Sequence, residues 1–590
     1  MNFGIKIKGE FLELKPNQVI SFNTRNLIFS GSSSDILPGS FQIPTTVNLT
    51  DVNKRLLRHP HLVTNAGDFL ENEPVEVIAG SSLTFEGELS VKTANEFEAQ
   101  IYTVINPLSK LKKVNIRDLD LGGERTIGNS SSESRLHAKD TAENPLNHDY
   151  IFFPVYNKDF QESPKEIGSA FLFQNYWDAE NQEFFEGKES PAAMPFVRVD
   201  YLLSKIFEGI DYKFENKWQI TDELKKLVTY SNYSIYHDSD HNPDAEPKED
   251  PIPDTWETTI NLSNHIPKVS NNEYVKSWMR VFALGLFPNY QDKLLELIPI
   301  RDLLKKPAKH DWTGKLLRGY SVDATKDNAP DAYSFEIEDE IQEGLQETYN
   351  LPEEFIVVPD LKDVPASPPG NIPYYYIENR DIYVVSGSFP ARPSRKALKY
   401  SDLGTSPKYD TDNEALIKPA PLHDFFFGER TSDGFDIRVS YDGFDHFVPG
   451  EVRAFPAIYQ PGTISQINQT NDLPFRFTIY RGMYPNKFGQ LYPYANGMPF
   501  DPTGNPIGEY ALHWTSPTGL YEKWYRQWHE MIRYGKRVKA TFKLSLSDYL
   551  KFNYKDKIRV GSMDYFVKSM KVSFTSKGLL PVECELVSVI

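Results

Sequence analysis

A single cysteine, Cys584, is all that the 590 residues provide. Neither an intrachain disulfide framework nor a cluster of thiolate metal ligands is therefore available. Cys584 falls in an alternating segment, where it reads as a small buried hydrophobe. Long apolar runs are also missing. Nothing approaches the ~20 consecutive apolar residues of a membrane span, and the opening stretch MNFGIKIK lacks the roughly 7 to 15-residue apolar core of a secretion signal. The chain is expected to be made and folded in a cytoplasm, with no membrane span. Positive charge is in deficit: 64 Lys and Arg against 82 Asp and Glu leave a formal net charge of -18. A broad nucleic-acid-binding surface needs clustered basic residues to neutralise phosphate, so sequence-specific nucleic acid is not an expected partner. A lumen through which DNA passes unbound remains compatible with this balance.

Motifs of catalysis are absent as well. The sequence holds no Gly-x-Ser-x-Gly elbow, no phosphate-binding Gly-x4-Gly-Lys-Ser/Thr loop and no His-Glu-x-x-His pair. Glycoside hydrolysis would need two carboxylates ~5 to 9.5 Å apart, and with 82 acidic residues no sequence context selects a pair. No catalytic residue and no cofactor is expected. The sharpest metal candidate is Asp238, Asp240, Asn242 and Asp244 with Glu249 at the twelfth position, which sets oxygens at calcium-loop spacing. Pro243 stands where that loop needs glycine, so a solvated acidic loop is the expectation for Asp238–Glu249. His59 and His61 have no third ligand at a spacing that would complete a zinc site. Tyr374, Tyr375 and Tyr376, Phe425, Phe426 and Phe427, and Trp524 with Trp528 could stack on sugars. Core or subunit-interface positions suit such rings better, since Tyr and Trp join a large apolar area to a polar tip.

What the chain does have in quantity is aromatics and turn formers, with 33 Tyr and 38 Phe against 42 Pro and 34 Gly. That combination favours strands cut by turns. The fold class expected is α+β and predominantly β: two tube-type β-barrel domains, a small inserted helical unit and a β-rich aromatic insertion. The length is too great for one ordinary core.

In order, Phe3, Ile5 and Ile7, then Phe11, Leu12 and Leu14, then Val19, Ile20 and Phe22 alternate as two or three strands, broken at Lys15-Pro16-Asn17. Phe41 and Ile43 read as a strand stopped by Pro44, and Asn48 or Thr50 can cap a short helix through Leu57. VEVIAGSSLTFEGELSV and FEAQIYTVI return to alternation. The polar stretch from Leu121 to Tyr150 reads as a long loop or boundary. Helical stripes follow at Phe196–Phe207, ended by Gly209, and at Asn272–Leu286, ended near Gly285. KLLELIPIRDLL supplies a strand closed by Pro299. Short aromatic or β-branched runs fill 320–515, read as a sandwich or second barrel with long excursions.

The last stretch is the clearest. Leu520, Tyr521, Trp524, Tyr525, Trp528, Met531 and Ile532 make one apolar helix face, with Ser516-Pro517 as its start and Gly535 as its stop. Val538, Ala540, Phe542, Leu544 and Leu546 then alternate as a half-buried strand. A hairpin turns at Gly561-Ser562, another turn falls at Ser576-Lys577-Gly578, and Val582, Cys584 and Leu586 line a closing strand. The expectation is a helix followed by a β-meander.

This C-terminal pattern, LYEKWYRQWHEMIRYGKRVKATFKLSLSDYLKFNYKDKIRVGSMDYFVKSMKVSF closing on GLLPVECELVSVI, resembles the C-terminal region of tail hub proteins of tailed bacteriophages and prophages, most closely those of Bacteroidota. The strand, proline, short helix and strand order near residues 41–105 resembles the tube-facing N-terminal domain of the same proteins. The resemblance implies a virion structural protein at the tail tip, a hub closing the distal end of the tail tube, assembled in the host cytoplasm as a homotrimer. It implies as partners a distal tail or tail-tube protein, a tape-measure protein and tail fibre or spike proteins. The division expected is a tube-type β domain at 1–125, a loop-rich connection at 126–194, a mixed α/β inserted unit at 195–320, a β-rich region at 321–515 and a closing helix and meander at 516–590. A glycan- or receptor-binding tail module is the alternative, and a tail-associated cell-wall hydrolase the third reading.

Overall fold

Alternation of apolar and polar residues produces the N-terminal sheet. Phe3–Ile7, Glu10–Phe11, Phe41–Asn48, Glu73–Ala79, Leu83–Ala94 and Glu98–Ile105 form six antiparallel strands, and Ile5, Ile43, Val77 and Ile101 line the buried face. The computed structural model describes residues 3–323 and 475–589 apart from gaps, the longest at 30–40, 158–172 and 236–255. Between 324 and 474 it describes little beyond short strands, such as Tyr374–Ile377 and Phe455–Ala457.

Pro44 does not stop its strand. Phe41–Asn48 runs through it, with Pro44 opposite Tyr102. Proline is tolerated because this strand is the last of the sheet, where a missing backbone N–H on the outer side breaks no ladder. The Gln18 side-chain amide donates to the Thr46 carbonyl at 2.7 Å from that side. Thr50 then caps the helix Asp51–Leu56, its side chain accepting from the Asn53 backbone N–H.

The polar stretch from Leu121 to Tyr150 is not simply a loop. Ser131–Glu143 is a helix capped by Ser130, whose hydroxyl accepts from the Glu133 N–H. Its buried face is made of Ser134, Ala138, Thr141 and Ala142, residues too small to raise an apolar stripe in the sequence. The middle unit continues with the helices Val199–Glu208 and Asn271–Val281 beside a three-stranded sheet of Lys213–Asn216, Leu294–Pro299 and Leu284–Asn289. Gly285 lies inside a strand and does not end the helix; a Cβ there would meet the Phe287 ring at 2.5 Å. After Pro299 the IRDLL segment turns into the short helix Ile300–Lys305. Trp218, Trp278, Phe282, Phe477 and Trp524 pack together in the core of this unit.

At the C-terminus the helix starts as a single π turn, Tyr521–Tyr525, and continues as an α-helix, Arg526–Tyr534. Pro517 lies in a turn ahead of it and not at its first position, and Ser516 lies outside the described residues. The extra residue in the π turn changes which side chains face inward. Trp524 and, five residues on, His529 are buried, whereas Trp528 is half-buried. The following strand is Arg537–Phe542; Leu546 belongs instead to the helix Leu546–Lys551, which Ser545 and Asp548 cap reciprocally.

The strands Lys557–Val560, Met563–Thr575 and Val582–Ser588 do run as a meander, with Gly561 at φ 64° in the first turn. Arg537–Phe542 joins its far edge, beside Val582–Ser588. A segment from the middle of the chain closes the figure. His310–Asp311 pairs with Lys557–Val560 at one end of the sheet, and Ser321–Asp323 pairs with Arg537–Lys539 at the other. Between them Trp312 N–H donates to the Arg559 carbonyl at 2.9 Å, and Lys543 N–H donates to the Lys315 carbonyl at 2.8 Å. One strap, running from His310 to Asp323, thus pairs with strands on both sides and curls the sheet into a half-barrel.

The N-terminus enters this barrel too. Ile20–Arg25 lies antiparallel to Phe574–Ser569 of the long strand, beyond the part that Lys557–Val560 covers. Asn26 continues the contact, its side-chain amide donating to the carbonyls of Tyr554 and Val567. Side chains of both ends, including Ile5, Phe22, Val77, Trp312, Phe542 and Val572, fill a single core. The fold is α+β and predominantly β.

Candidate functional site

The sequence candidates scatter when placed in the structure. His59 and His61 follow the short helix Asp51–Leu56, their rings 6.0 Å apart. Asp238–Glu249 lies outside the described residues. Among the described residues no group of three His, Cys, Asp or Glu is placed to hold a metal ion. Tyr374, Tyr375 and Tyr376 lie in the strand Tyr374–Ile377 and Phe425 in the strand His423–Phe425, while Phe426 and Phe427 are outside the described residues. Cys584 is buried in the barrel, and burial pushes its thiol well above the usual range. No described helix is long and apolar enough to cross a membrane.

Trp524 does not present a ring for stacking on sugar. The Arg301 guanidinium sits 3.8 Å above its centroid, within the core, and donates onward to the Lys523 carbonyl. Trp524 therefore holds the π turn against the helix Ile300–Lys305.

Two histidines that sequence reasoning passed over are more suggestive at first sight. His265 Nδ1 lies 3.0 Å from Ser231 Oγ, the contact a nucleophile and its base would make. Both residues are buried, the nearby charge is Arg117, and burial pushes His265 down to about 3. A triad needs a carboxylate to orient the imidazole, and among the described residues none bonds to His265. The pair satisfies buried polar groups. His529 is likewise pushed down to about 3 by burial among Tyr521, Tyr525 and Trp528.

The remaining concentrations of charge lie at seams. Glu296, 2% exposed on the strand Leu294–Pro299, accepts from the ammonium groups of Lys217 and Lys555. The two residues after Lys555 add further bonds. Asp556 accepts from Lys309 and pairs with His310, each at 3.1 Å, and Lys557 Nζ donates to the Leu304 carbonyl at 2.9 Å. Of these three consecutive residues, Lys555 and Lys557 reach the middle unit and Asp556 holds the start of the strap. Ile28, Phe287, Ile298, Leu303, Met531 and Phe566 form a separate apolar cluster at the same seam. A second buried pair, Arg481 with Glu223, ties down the loop before Tyr510, whose backbone N–H also donates to Glu223. The sites of concentrated polar chemistry join parts of the molecule to one another, and the N- and C-terminal strands are joined by a shared core.

No family model matches this chain, and no curated protein matches it. Solved structures with a distant likeness include three tail proteins. A 43 kDa tail protein of a prophage from Shewanella oneidensis aligns with 100% of this chain and 97% of its own, at 7% identity and a TM-score of 0.33. A tail protein from Neisseria meningitidis aligns with 99% and 96%, at 7% identity and a TM-score of 0.31. A prophage tail protein from Listeria monocytogenes aligns with 100% and 94%, at 7% identity and a TM-score of 0.32.

Proposed function

We propose that this chain is a structural subunit of a phage tail, a homotrimeric hub at the distal end of the tail tube. The observation that carries the reading is the union of the chain's two ends. The strands near residues 41–105 and the C-terminal meander, the two stretches whose patterns resemble hub proteins, share one core, with Ile20–Arg25 laid along Met563–Thr575. A single rigid β body built from both ends suits a part that must transmit load and hold its neighbours in register.

In this reading the N-terminal sheet and the strapped barrel are the two tube-type units of each subunit, and three subunits would place six such units around the tail axis. Tail fibre or spike proteins and the tape-measure protein would join the tail at this ring. The net charge of -18 suits a conduit that must release DNA and not retain it. The protein acts by position, without chemistry of its own.

Light scattering of the purified protein, from low to high ionic strength, alone and with its tail-tube neighbour, tests this. A trimer mass is expected, with a three-part ring in negative stain. A monomer under all of these conditions would reject the hub and move the weight to a glycan- or receptor-binding module.

A further inference from the structure

The chain contains one strand-and-helix unit twice. Phe41–Asn48, the helix Asp51–Leu56, Glu73–Ala79, Leu83–Ala94 and Glu98–Ile105 recur in the same order as Arg537–Phe542, the helix Leu546–Lys551, Lys557–Val560, Met563–Thr575 and Val582–Ser588. Both helices are six residues long and capped by a hydroxyl, Thr50 in one and Ser545 in the other. In both units the second strand pairs with the third, the third with the fourth, and the fourth with the first. The third strand bulges at the same place. Its register skips Lys92 within Val91-Lys92-Thr93 and Lys568 within Val567-Lys568-Ser569. The matching bulge aligns the units residue by residue, with Thr93 on Ser569.

Each unit also takes in an earlier segment that reaches both of its outer strands. In the second unit, His310–Asp311 lies on Lys557–Val560 and Ser321–Asp323 on Arg537–Phe542. In the first, Phe3–Ile7 lies on Glu73–Ala79 and Ile20–Arg25 runs beside Phe41–Asn48, where Gln18 bonds to the Thr46 carbonyl. Ile20–Arg25 and Ser321–Asp323 are therefore equivalent strands, but only the first is covered on its far side. Ile20–Arg25 pairs there with the third strand of the other unit, from Phe574 back to Ser569 beside the bulge.

Among the described residues no strand lies on the far side of Ser321–Asp323. The equivalent landing place in the first unit is open too. Val91 N–H donates to the Leu70 carbonyl at 2.9 Å, but past the bulge Thr93 and Ala94 pair only with Glu98–Ile105. Open strand edges are templates for another strand, and each of these edges lacks the partner that the other supplies. They are short alike, since Ser321–Asp323 has three residues where Ile20–Arg25 has six. They do not pair within one chain, where Glu98–Ile105, Phe41–Asn48, Ile20–Arg25 and three strands of the second unit stand between them.

We propose that Ser321–Asp323 of one copy adds antiparallel to the end of Leu83–Ala94 of the next copy, as Ile20–Arg25 adds to Met563–Thr575 within the chain. The join that links first unit to second inside a copy then links second unit to first between copies. Such a head-to-tail relation makes a ring when its rotation closes. This deepens the hub reading, on which it rests, by naming the strands that join its subunits.

The test uses Ala94→Cys and Val322→Cys chains, each checked for a parental melting curve, mixed and treated with a short bis-maleimide that tolerates a slip of one residue. Cys584 is buried and out of its reach. The mixture is expected to give a cross-linked dimer that neither variant gives alone. The double variant Ala94→Cys/Val322→Cys is expected to give a covalent species of roughly three times the chain mass on a denaturing gel. A parental assembled mass with no cross-link between the two chains overturns the contact and leaves the hub reading standing. A double variant linked only within its own chain also overturns the contact, as does equal cross-linking of each single variant to itself. A parent protein that is monomeric in every condition overturns both.

Discussion

The rings of Trp312 and Phe542 meet edge to face with centroids 5.2 Å apart, one from the strap and the other from the strand at the far edge of the same sheet. The contact ties the two sides of the sheet together, because Trp312 is also bonded through its backbone to Arg559 on the opposite side. Replacing Trp312 with Ala is expected to cost ~3 to 5 kcal/mol, the usual loss for a large aromatic removed from a core. Chemical denaturation followed by far-UV dichroism measures it. An unchanged midpoint would show that the strap does not hold the barrel closed.

Trp524 and Trp528 are expected to differ despite their helical spacing. Trp524 is 1% exposed beneath Arg301, while Trp528 is half-buried at the edge of the same cluster. Trp524→Ala is expected to cost ~3 to 5 kcal/mol and Trp528→Ala nearer ~1 kcal/mol. Equal shifts in melting temperature would contradict the inward turn that the π segment imposes.

The Glu296 clasp makes a double-mutant prediction. Removing the carboxylate alone, as Glu296→Gln, leaves Lys555 facing Lys217 in a partly buried seam and is expected to cost ~3 kcal/mol, the low end for a broken buried pair because Lys217 can turn to solvent. Glu296→Leu combined with Lys555→Met is expected to recover much of that loss. If the double variant is less stable than Glu296→Gln, the seam depends on the charges themselves.

Acid sensitivity has a defined sign and window. His265 and His529, both held neutral by burial, are pushed down to about 3. The unfolded chain, with histidines near ~6.5, therefore binds more protons than the folded one between those values. Stability is fully present above about pH 6.5 and falls as pH drops towards 3, by up to ~1.4 kcal/mol per pH unit for each histidine. Asp548, pulled down to about 2 by its bond to Lys315, adds its own loss only below the ordinary carboxylate range. Urea melts at pH 7 and pH 5 check this, and His529→Gln should flatten the difference. The same slope in that variant would remove His529 from the account.

Much of the fold was legible where local pattern and packing agree. The alternation of Val582, Cys584 and Leu586 is seen as a buried face, and Gly561 makes the turn that the loop length called for. Pro44 misleads because edge position, which excuses it, is a property of the whole sheet. The helix Ser131–Glu143 hides because its buried side is Ser, Ala and Thr, though Ser130 and Glu133 mark its start. His529 could not be read as buried at all, since an ideal helical count puts Trp528 there, and the π turn that moves it follows from packing against Arg301. The strap is least legible of all. Two- and three-residue strands carry no period, and their partners lie more than two hundred residues away.

The strand Ile20–Arg25 has a consequence for how the protein is made. Its partner, Ser569–Phe574, leaves the ribosome some 550 residues later, roughly half a minute to two minutes at ~5 to 20 residues per second. Throughout that interval the growing chain carries an apolar strand with no place to settle and an N-terminal sheet whose inner face is uncovered. The nascent chain is therefore a natural client for chaperones, and slowing its translation should raise the fraction lost to aggregation before Ile20–Arg25 meets its partner.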